Sequence, residues 1–502
     1  MTGQGRPVGL AAVDLGATSG RVMLGIVDAG GIELLAAHRF PNRLTKHEGR
    51  LCWEIDELWA QIRLGLAAAA RLARERGLAG LSAIGVDSWA VDYALMGPEG
   101  DRIGEVVSYR DDRTDGEADA FAKLLPPARQ FELTGIAQQP FNTLYQLRAD
   151  ERVQELPAEA SLLLVPDLIG FLLTGERRTE VTNASTTGML AQDGTGWSPE
   201  ILAATGLDPA LFPPLIQPGE RLGTVRPELA EELDLGQVPV LAVGSHDTAS
   251  AVLAIPAGEG GAAVADAPRQ DADIRSTVAY ISSGTWSLIG LELPAAVATE
   301  EARQAGFTNE AGVDGTVRFL KNVAGMWLVS ESIRQWEEDG EDVTLEGLLA
   351  AAAEEPADRL RIDPTSEEFL APGRMADRIA RAAQPLGEEP SPTSPVQLVR
   401  LILESLAETY RNELQQACKL AGVPLPERLH VVGGGSRNAL LNQLTADALG
   451  IEVVAGPMEA TALGNVALQA GSVGVVPEEP GALRALVHRS VQLEHFTPSR
   501  RT

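Results

Sequence analysis

Val8-Gly9-Leu10-Ala11-Ala12-Val13 is a short apolar run, followed by Asp14-Leu15-Gly16-Ala17-Thr18-Ser19-Gly20-Arg21 and then by Val22 to Val27. The first run reads as a strand buried on both faces. The small residues after it read as a tight turn, and Val22 to Val27 as the returning strand. Ala29-Gly30-Gly31 turns the chain again. A helix is expected from about Asp56 to Arg76, with acids early, arginines late and Gly77 as its stop. Leu81 to Val86 is a further buried-strand run that ends in Asp87. Strands alternate with helices, so the class is α/β.

The pattern recurs near the middle of the chain. Val278 to Ile281 leads into Ser282-Ser283-Gly284-Thr285-Trp286-Ser287, and Leu288 to Leu291 leaves it. The repetition implies two halves of related architecture, which we divide as 1–250 and 251–502. Val240 to Asp247 reads as strand then turn, and Thr248 to Leu253 opens a helix. Pro256 to Thr277 is rich in Ala, Gly, Asp and Glu, has no clear period and reads as an exposed loop. A long helix is expected over Val396 to Ala421, with Pro395 suiting its first turn and Gly422 its end. His430 to Val432 reads as a strand. After it come Gly433-Gly434-Gly435, a helix from about Arg437 to Leu449, and a small-residue helix over Ala460 to Ala470.

Composition narrows the function. In 502 residues, 70 acids face 41 Lys plus Arg, a formal net charge of −29, which argues against nucleic acid or an anionic membrane as partner. The lysines are Lys46, Lys123, Lys321 and Lys419, and none sits in a P-loop or protein-kinase motif. Two cysteines cannot form a disulfide framework, so a reducing compartment is expected. No apolar run approaches the roughly 18 residues of a membrane span, and the N-terminus lacks the shape of a signal peptide. The protein is therefore read as cytoplasmic.

Three small-residue turns, Gly16 to Gly20, Ser282 to Ser287 and Gly433 to Ser436, each follow an apolar strand. Open α/β sheets place ligands at such strand ends. Glycine lets backbone N–H groups approach an oxyanion, although each turn taken singly is equally an ordinary tight turn. So acidic a chain, if it binds ATP, must do so through backbone amides, arginine and a divalent metal. Asp14 can hold Mg²⁺ or cap the turn that follows it. Asp87 has the same two readings, and sugar hydroxyls are a third. In Ser245-His246-Asp247-Thr248, Asp247 is either a helix N-cap or a general base that takes a proton from an attacking alcohol. Three adjacent residues cannot form a hydrolase triad, and no G-x-S-x-G elbow is present. Six histidines and two cysteines show no metal-ligand spacing, and His38 and His47 read as surface or loop residues.

Taken together and in order, these motifs resemble the FGGY carbohydrate kinases of the actin-like ATPase superfamily, over about residues 8 to 475. The finer segments are Gly85-Val86-Asp87-Ser88-Trp89-Ala90-Val91-Asp92-Tyr93, Tyr109-Arg110-Asp111-Asp112-Arg113-Thr114 and Phe141-Asn142-Thr143-Leu144-Tyr145-Gln146-Leu147. With Ser245 to Val252, Leu320-Lys321-Asn322 and Gly433 to Asn438, they resemble family members that phosphorylate the ketose L-rhamnulose on O1. The resemblance implies two actin-like, ribonuclease-H-type domains flanking a deep catalytic cleft, and transfer of the ATP γ-phosphate with Mg²⁺. It implies Asp247 as base. Ala17, Thr18, Ser19, Gly20, Arg21, Thr285 and Gly434 would contact ATP; Ala90, His246, Asp247, Thr248 and Asn322 would contact sugar. Asp14 would organise the metal. Asp87, Trp89 and Asn322 favour a polyhydroxylated ligand. The chain departs from the family in carrying Ala90 where glycine is usual and Ser330 where a nucleotide-contacting glutamine is usual. It also carries an apparent insertion over Pro256 to Thr277. A kinase for another ketose, such as L-fuculose or L-xylulose, and a non-kinase ATPase on the same fold are the alternatives.

Overall fold

The computed structural model describes residues 6–256, 277–284, 286–357, 360–369, 371–383 and 394–499. These fall into two compact units. One gathers residues within Met1–Asp273, Leu293–Phe319 and Ala460–Val491; the other gathers those within Ile274–Glu292, Leu320–Glu459 and Gln492–Thr502. Thr285 and nearly all of the Pro256 to Thr277 stretch lie outside the described residues.

The first unit is organised on β1 (Val8–Leu15), β2 (Ser19–Asp28), β3 (Gly31–Pro41), β4 (Leu81–Ser88), β5 (Arg221–Thr224) and β6 (Pro239–Leu241). Their order in the sheet is β5-β6-β4-β1-β2-β3. β1 is buried along nearly its whole length, as its unbroken apolar run requires. It pairs antiparallel with β2 and parallel with β4. The hairpin turn is tighter than the sequence indicates: Asp14, Leu15, Ser19, Gly20 and Arg21 all belong to strands, and Asp14 lies opposite Arg21 in the ladder. Only residues 16–18 bridge the strands, because Gly16 N–H closes the turn on Ser19 O at 2.8 Å.

β3 contains the short apolar stretch Leu34-Leu35-Ala36-Ala37, but none of these four positions is buried. Half-exposed positions and charged residues such as Glu33 and Arg39 run along it, so pairing with β2, not burial, makes it a strand. His38 accordingly sits within a strand, its Nε2 2.7 Å from Gln61 Oε1, while His47 is exposed on a short hairpin, as expected. The helix Ile55–Glu75 buries Leu58, Ile62, Leu66, Ala69 and Ala73 at helical spacing.

The second unit carries β7 (Val278–Ser283), β8 (Ser287–Leu293), β9 (Arg428–Val432), β10 (Glu452–Ala455) and β11 (Glu494–Phe496). Neighbours run β8-β7-β9-β10-β11. β7 pairs antiparallel with β8 and parallel with β9. A hairpin whose first strand takes a parallel partner therefore occurs in both units, which accounts for the repeated strand-turn-strand pattern. The helix Pro395–Ala421 starts where Ser394 Oγ accepts from Gln397 N–H at 3.2 Å and stops at Gly422, which is in the left-handed region. The helix after the triple glycine begins at Ala439, not Arg437. Residues Gly434–Arg437 form a 3₁₀ turn, and Asn438 Oδ1 caps Leu441 N–H at 3.1 Å. Cys52 and Cys418 are both buried free thiols. Among the described residues, no helix is long and apolar enough to cross a membrane.

Candidate active site

Three neighbouring strands of the first unit, β6, β4 and β1, run parallel and end side by side. Ser88 N–H donates to Ser245 O at 2.9 Å, and Trp89 N–H donates to Leu15 O at 3.1 Å, so the chain segments leaving these strands are tied together. This brings Asp14, Asp87 and the Ser245–Thr248 turn to one sheet edge. Asp14 and Asp87 are register partners. Asp87 is fully buried; burial pushes its carboxyl well above the usual range, and the charges of Asp14 and Asp247 push it further against a hydrogen bond from Asn465. That bond runs from Asn465 Nδ2 to Asp87 Oδ2 at 2.6 Å. Asp87 Oδ1 is buried and has no hydrogen-bond partner among the described residues.

Hard carboxylate oxygens with one orphaned oxygen suit a divalent cation of the Mg²⁺ type. That ion commonly takes one or two protein carboxylates and fills the remainder with water and phosphate. Among the described residues, no group of three or more His, Cys, Asp or Glu forms a self-sufficient metal cage. Arg21, expected at the phosphates, directs Nε and Nη2 to Asp14 Oδ2 at 2.8 and 2.7 Å.

At the turn, Thr18 and Ser19 are exposed and Ala17 is half-buried, while Gly20 is buried. A side chain at Gly20 would collide with the Phe40 ring, so this glycine is needed for packing whatever the turn binds. The triple glycine divides likewise. A Cβ at Gly433 or Gly435 would strike Ser283, whereas Gly434 faces open space. Gly434 is the position there with room for a ligand. Asn322 is half-buried on the strand Val317–Val323.

Asp247 begins the helix Asp247–Leu253, with His246 as the N-cap residue. Its side chain is one-third exposed, and its Oδ1 accepts from Thr248 Oγ1 at 3.1 Å. His246 is buried; its Nε2 lies 3.4 Å from the same Oδ1. Sequence reading missed what holds this turn. Glu180, fully buried, accepts from Ser245 N–H at 3.1 Å, Ser245 Oγ at 2.6 Å, Thr182 Oγ1 at 2.6 Å, and the N–H groups of Thr182 and Asn183 at 2.9 and 3.2 Å. Burial raises its carboxyl in spite of these donors. The only sequence signal is a carboxylate just before Val181-Thr182-Asn183, where it caps a short helix.

The Trp89-Ala90-Val91 turn is strained, with Val91 at φ +69°. Thr143 Oγ1 and Gln146 Nε2 hold Val91 O at 2.7 and 3.2 Å. Asp92 Oδ2 accepts from the indoles of Trp53 and Trp89 at 2.6 and 3.0 Å. Ala90 is half-buried at the turn's tip. Burial pushes the Asp92 carboxyl up to about 6 from 3.8, although both indoles oppose the shift. An acid with a raised folded-state pKa favours folding when protonated, and that contribution is lost as pH rises through the folded value. The unfolding free energy of the wild type relative to Asp92→Asn is therefore expected to fall by ~3 kcal/mol between about pH 4 and pH 6 and then to level. Denaturant titrations across that range check this; a pH-independent difference would contradict it.

A groove of about 720 Å³ lined in part by Arg39, Thr45, Trp53, Asp56 and Gln61 lies in the same unit but contains none of the strand-end carboxylates.

Comparison with known proteins bears on the family and the fold. The N-terminal domain profile of the FGGY family of carbohydrate kinases matches residues 10–254, and the C-terminal domain profile matches residues 279–473. A rhamnulokinase of Bacteroides thetaiotaomicron is 41% identical over 97% of this chain and 95% of its own length. One from Bacillus subtilis is 37% identical over 97% of this chain and 95% of its own. Among solved structures, a gluconate kinase from Lactobacillus acidophilus superimposes with a TM-score of 0.77 at 15% identity, covering 98% of this chain and 94% of that one. A xylulose kinase from Rhodospirillum rubrum gives 0.76 at 20% identity with the same coverage. These two similarities bear on the fold alone. With both domain profiles matched in order, and carboxylates and small-residue turns at the strand ends, the chain belongs to the FGGY family of carbohydrate kinases.

Proposed function

We propose that this enzyme transfers the γ-phosphoryl group of ATP to O1 of L-rhamnulose, giving L-rhamnulose 1-phosphate and ADP. The observation that carries the reading is the nearly full-length similarity, at about 40% identity, to relatives named rhamnulokinase. Supporting it, Asp247 stands partly exposed at the strand-end edge with one carboxylate oxygen already engaged.

Phosphoryl transfer depends mainly on positioning and charge stabilisation. Asp247 orients the sugar hydroxyl and takes its proton as the bond to phosphorus forms. Ala17, Thr18, Ser19, Gly20 and Arg21 line the phosphates, with Gly434 and Thr285 as further ATP contacts. Ala90, His246, Thr248 and Asn322 contact the sugar. Asp14, facing Asp87, holds Mg²⁺, which when bound offsets the charge of the nucleotide phosphates. Residues 1–250 carry the first phosphate turn and the sugar contacts other than Asn322, and residues 251–502 carry nucleotide binding together with Asn322. Two free thiols are in keeping with work in the cytoplasm.

ADP release with Mg-ATP and a panel of ketoses and aldoses tests the reading. Strong stimulation by L-rhamnulose over a no-sugar control is expected. Stimulation by L-fuculose or L-xylulose instead would move the substrate, with Ala90→Gly the first variant to make. Steady hydrolysis indifferent to every sugar would overturn kinase chemistry in favour of a plain ATPase.

A further inference from the structure

His246 is held from behind by two residues that no motif marks. Glu310, on the strand Thr308–Ala311, and Arg318, on the strand Val317–Val323, form an ion pair of 3.0 Å between Glu310 Oε2 and Arg318 Nη1. The Arg318 side chain is wholly buried. Its Nε and Nη2 also donate to Ala311 O at 3.2 and 3.1 Å, which fixes the plane of the guanidinium. Both groups converge on one ring nitrogen: His246 Nδ1 lies 3.0 Å from Arg318 Nη2 and 3.2 Å from Glu310 Oε2.

These contacts decide where the imidazole proton sits. A guanidinium only donates, so a hydrogen bond from Arg318 requires the Nδ1 lone pair. The proton is then on Nε2, the nitrogen 3.4 Å from Asp247 Oδ1. The other tautomer would oppose Nδ1–H to the Arg318 donor and turn the Nε2 lone pair toward a carboxylate. Glu310 is kept ionised: burial pushes its carboxyl up, but the Arg318 charge is the foremost influence against that and the carboxyl lies below the usual range; the 3.2 Å approach of its Oε2 to Nδ1 is not a hydrogen bond. It thereby anchors the guanidinium. The His246 backbone N–H donates to Thr182 Oγ1 at 3.2 Å, which fixes the main chain from which the ring projects.

We propose that Arg318 and Glu310 are positioning residues that hold His246 as the Nε2–H tautomer, so that Asp247 Oδ1 is occupied by His246 and Thr248 and Oδ2 is the oxygen presented to the acceptor hydroxyl. The proposal rests on Asp247 as base and adds which oxygen acts and what selects it. Glu310 and Arg318 do not touch substrate in this scheme; they act through the ring.

Nitrogen-15 spectra of the full chain, labelled at histidine only, read the tautomer without substrate. The His246 signals are identified by their loss in His246→Gln. At neutral pH, Nδ1 is expected at the shift of an unprotonated ring nitrogen and Nε2 at that of a protonated one. A protonated Nδ1, or averaged shifts for the two nitrogens, would overturn the proposal. In Arg318→Met the Glu310 carboxylate is still 3.2 Å from Nδ1 and only accepts, so Nδ1 is expected to move to the shift of a protonated ring nitrogen. Its kcat is expected to fall roughly tenfold, as for one lost hydrogen bond to a charged group, with the KM for ATP within about twofold on the same basis. Unchanged shifts and kcat in that variant would equally overturn it. Should Arg318→Met not fold, the wild-type spectrum decides alone. The spectrum is independent of whether Asp247→Asn loses turnover, so the failure of either idea is separately visible.

Discussion

Asp247→Asn is expected to lower kcat by about 10²–10⁴-fold, the usual contribution of a positioned general base, and to leave nucleotide affinity unchanged. The substitution is close to isosteric. An asparagine carbonyl still accepts from Thr248 Oγ1 and keeps the 3.4 Å approach to His246 Nε2, both of which face Oδ1. The helix start and the turn before it therefore persist. What is lost is the second oxygen: an amide nitrogen has no lone pair for a proton, and it places two N–H donors where the sugar hydroxyl must donate. Steady-state ADP release at saturating sugar gives kcat, and calorimetric titration with nucleotide gives the affinity. Near-normal turnover would remove Asp247 from the base role. A matched loss of nucleotide affinity would make the residue structural.

Glu180→Ala is expected to be the most destabilising single change at the site. The carboxylate receives three backbone N–H groups and two hydroxyls, all in buried surroundings. The hydroxyls can rotate to other acceptors, but the N–H groups of Thr182, Asn183 and Ser245 cannot. At about 1–3 kcal/mol for each buried donor left unsatisfied, the unfolding free energy should fall by at least ~3 kcal/mol. Turnover should fall with it, because Ser245 and His246 are both tied to this cluster and Asp247 is the next residue. Glu180→Gln retains one acceptor oxygen and should lie between the wild type and the alanine variant. Urea unfolding curves measure the loss. A wild-type midpoint for Glu180→Ala would show that the network does not hold the turn.

Legibility in the sequence followed burial and chain locality. β1, β4 and β7 were readable because a strand covered on both faces needs an unbroken apolar run, and their ends marked Asp14, Asp87 and the small-residue turns. The helices Ile55–Glu75 and Pro395–Ala421 were readable to within a residue or two, because periodicity and terminal residues are local features. β3 was not: its apolar stretch Leu34–Ala37 is short and flanked by Glu33 and His38, and the ladder with β2, not burial, makes it a strand. The pairing of Arg21 with Asp14 was not either, because it depends on how short the hairpin turn is.

The sequence by itself determined the α/β class, the strand-end turns, the family and the reactive candidate Asp247, because each is written in residues adjacent along the chain. Only the tertiary structure decided what holds those groups. Glu180 reaches Ser245 across 65 residues, Arg318 reaches His246 across 72, and Asn465 reaches Asp87 across 378. A buried charge must find its partners wherever folding brings donors together. Those partners are selected by proximity in space, which a linear pattern of residues does not encode.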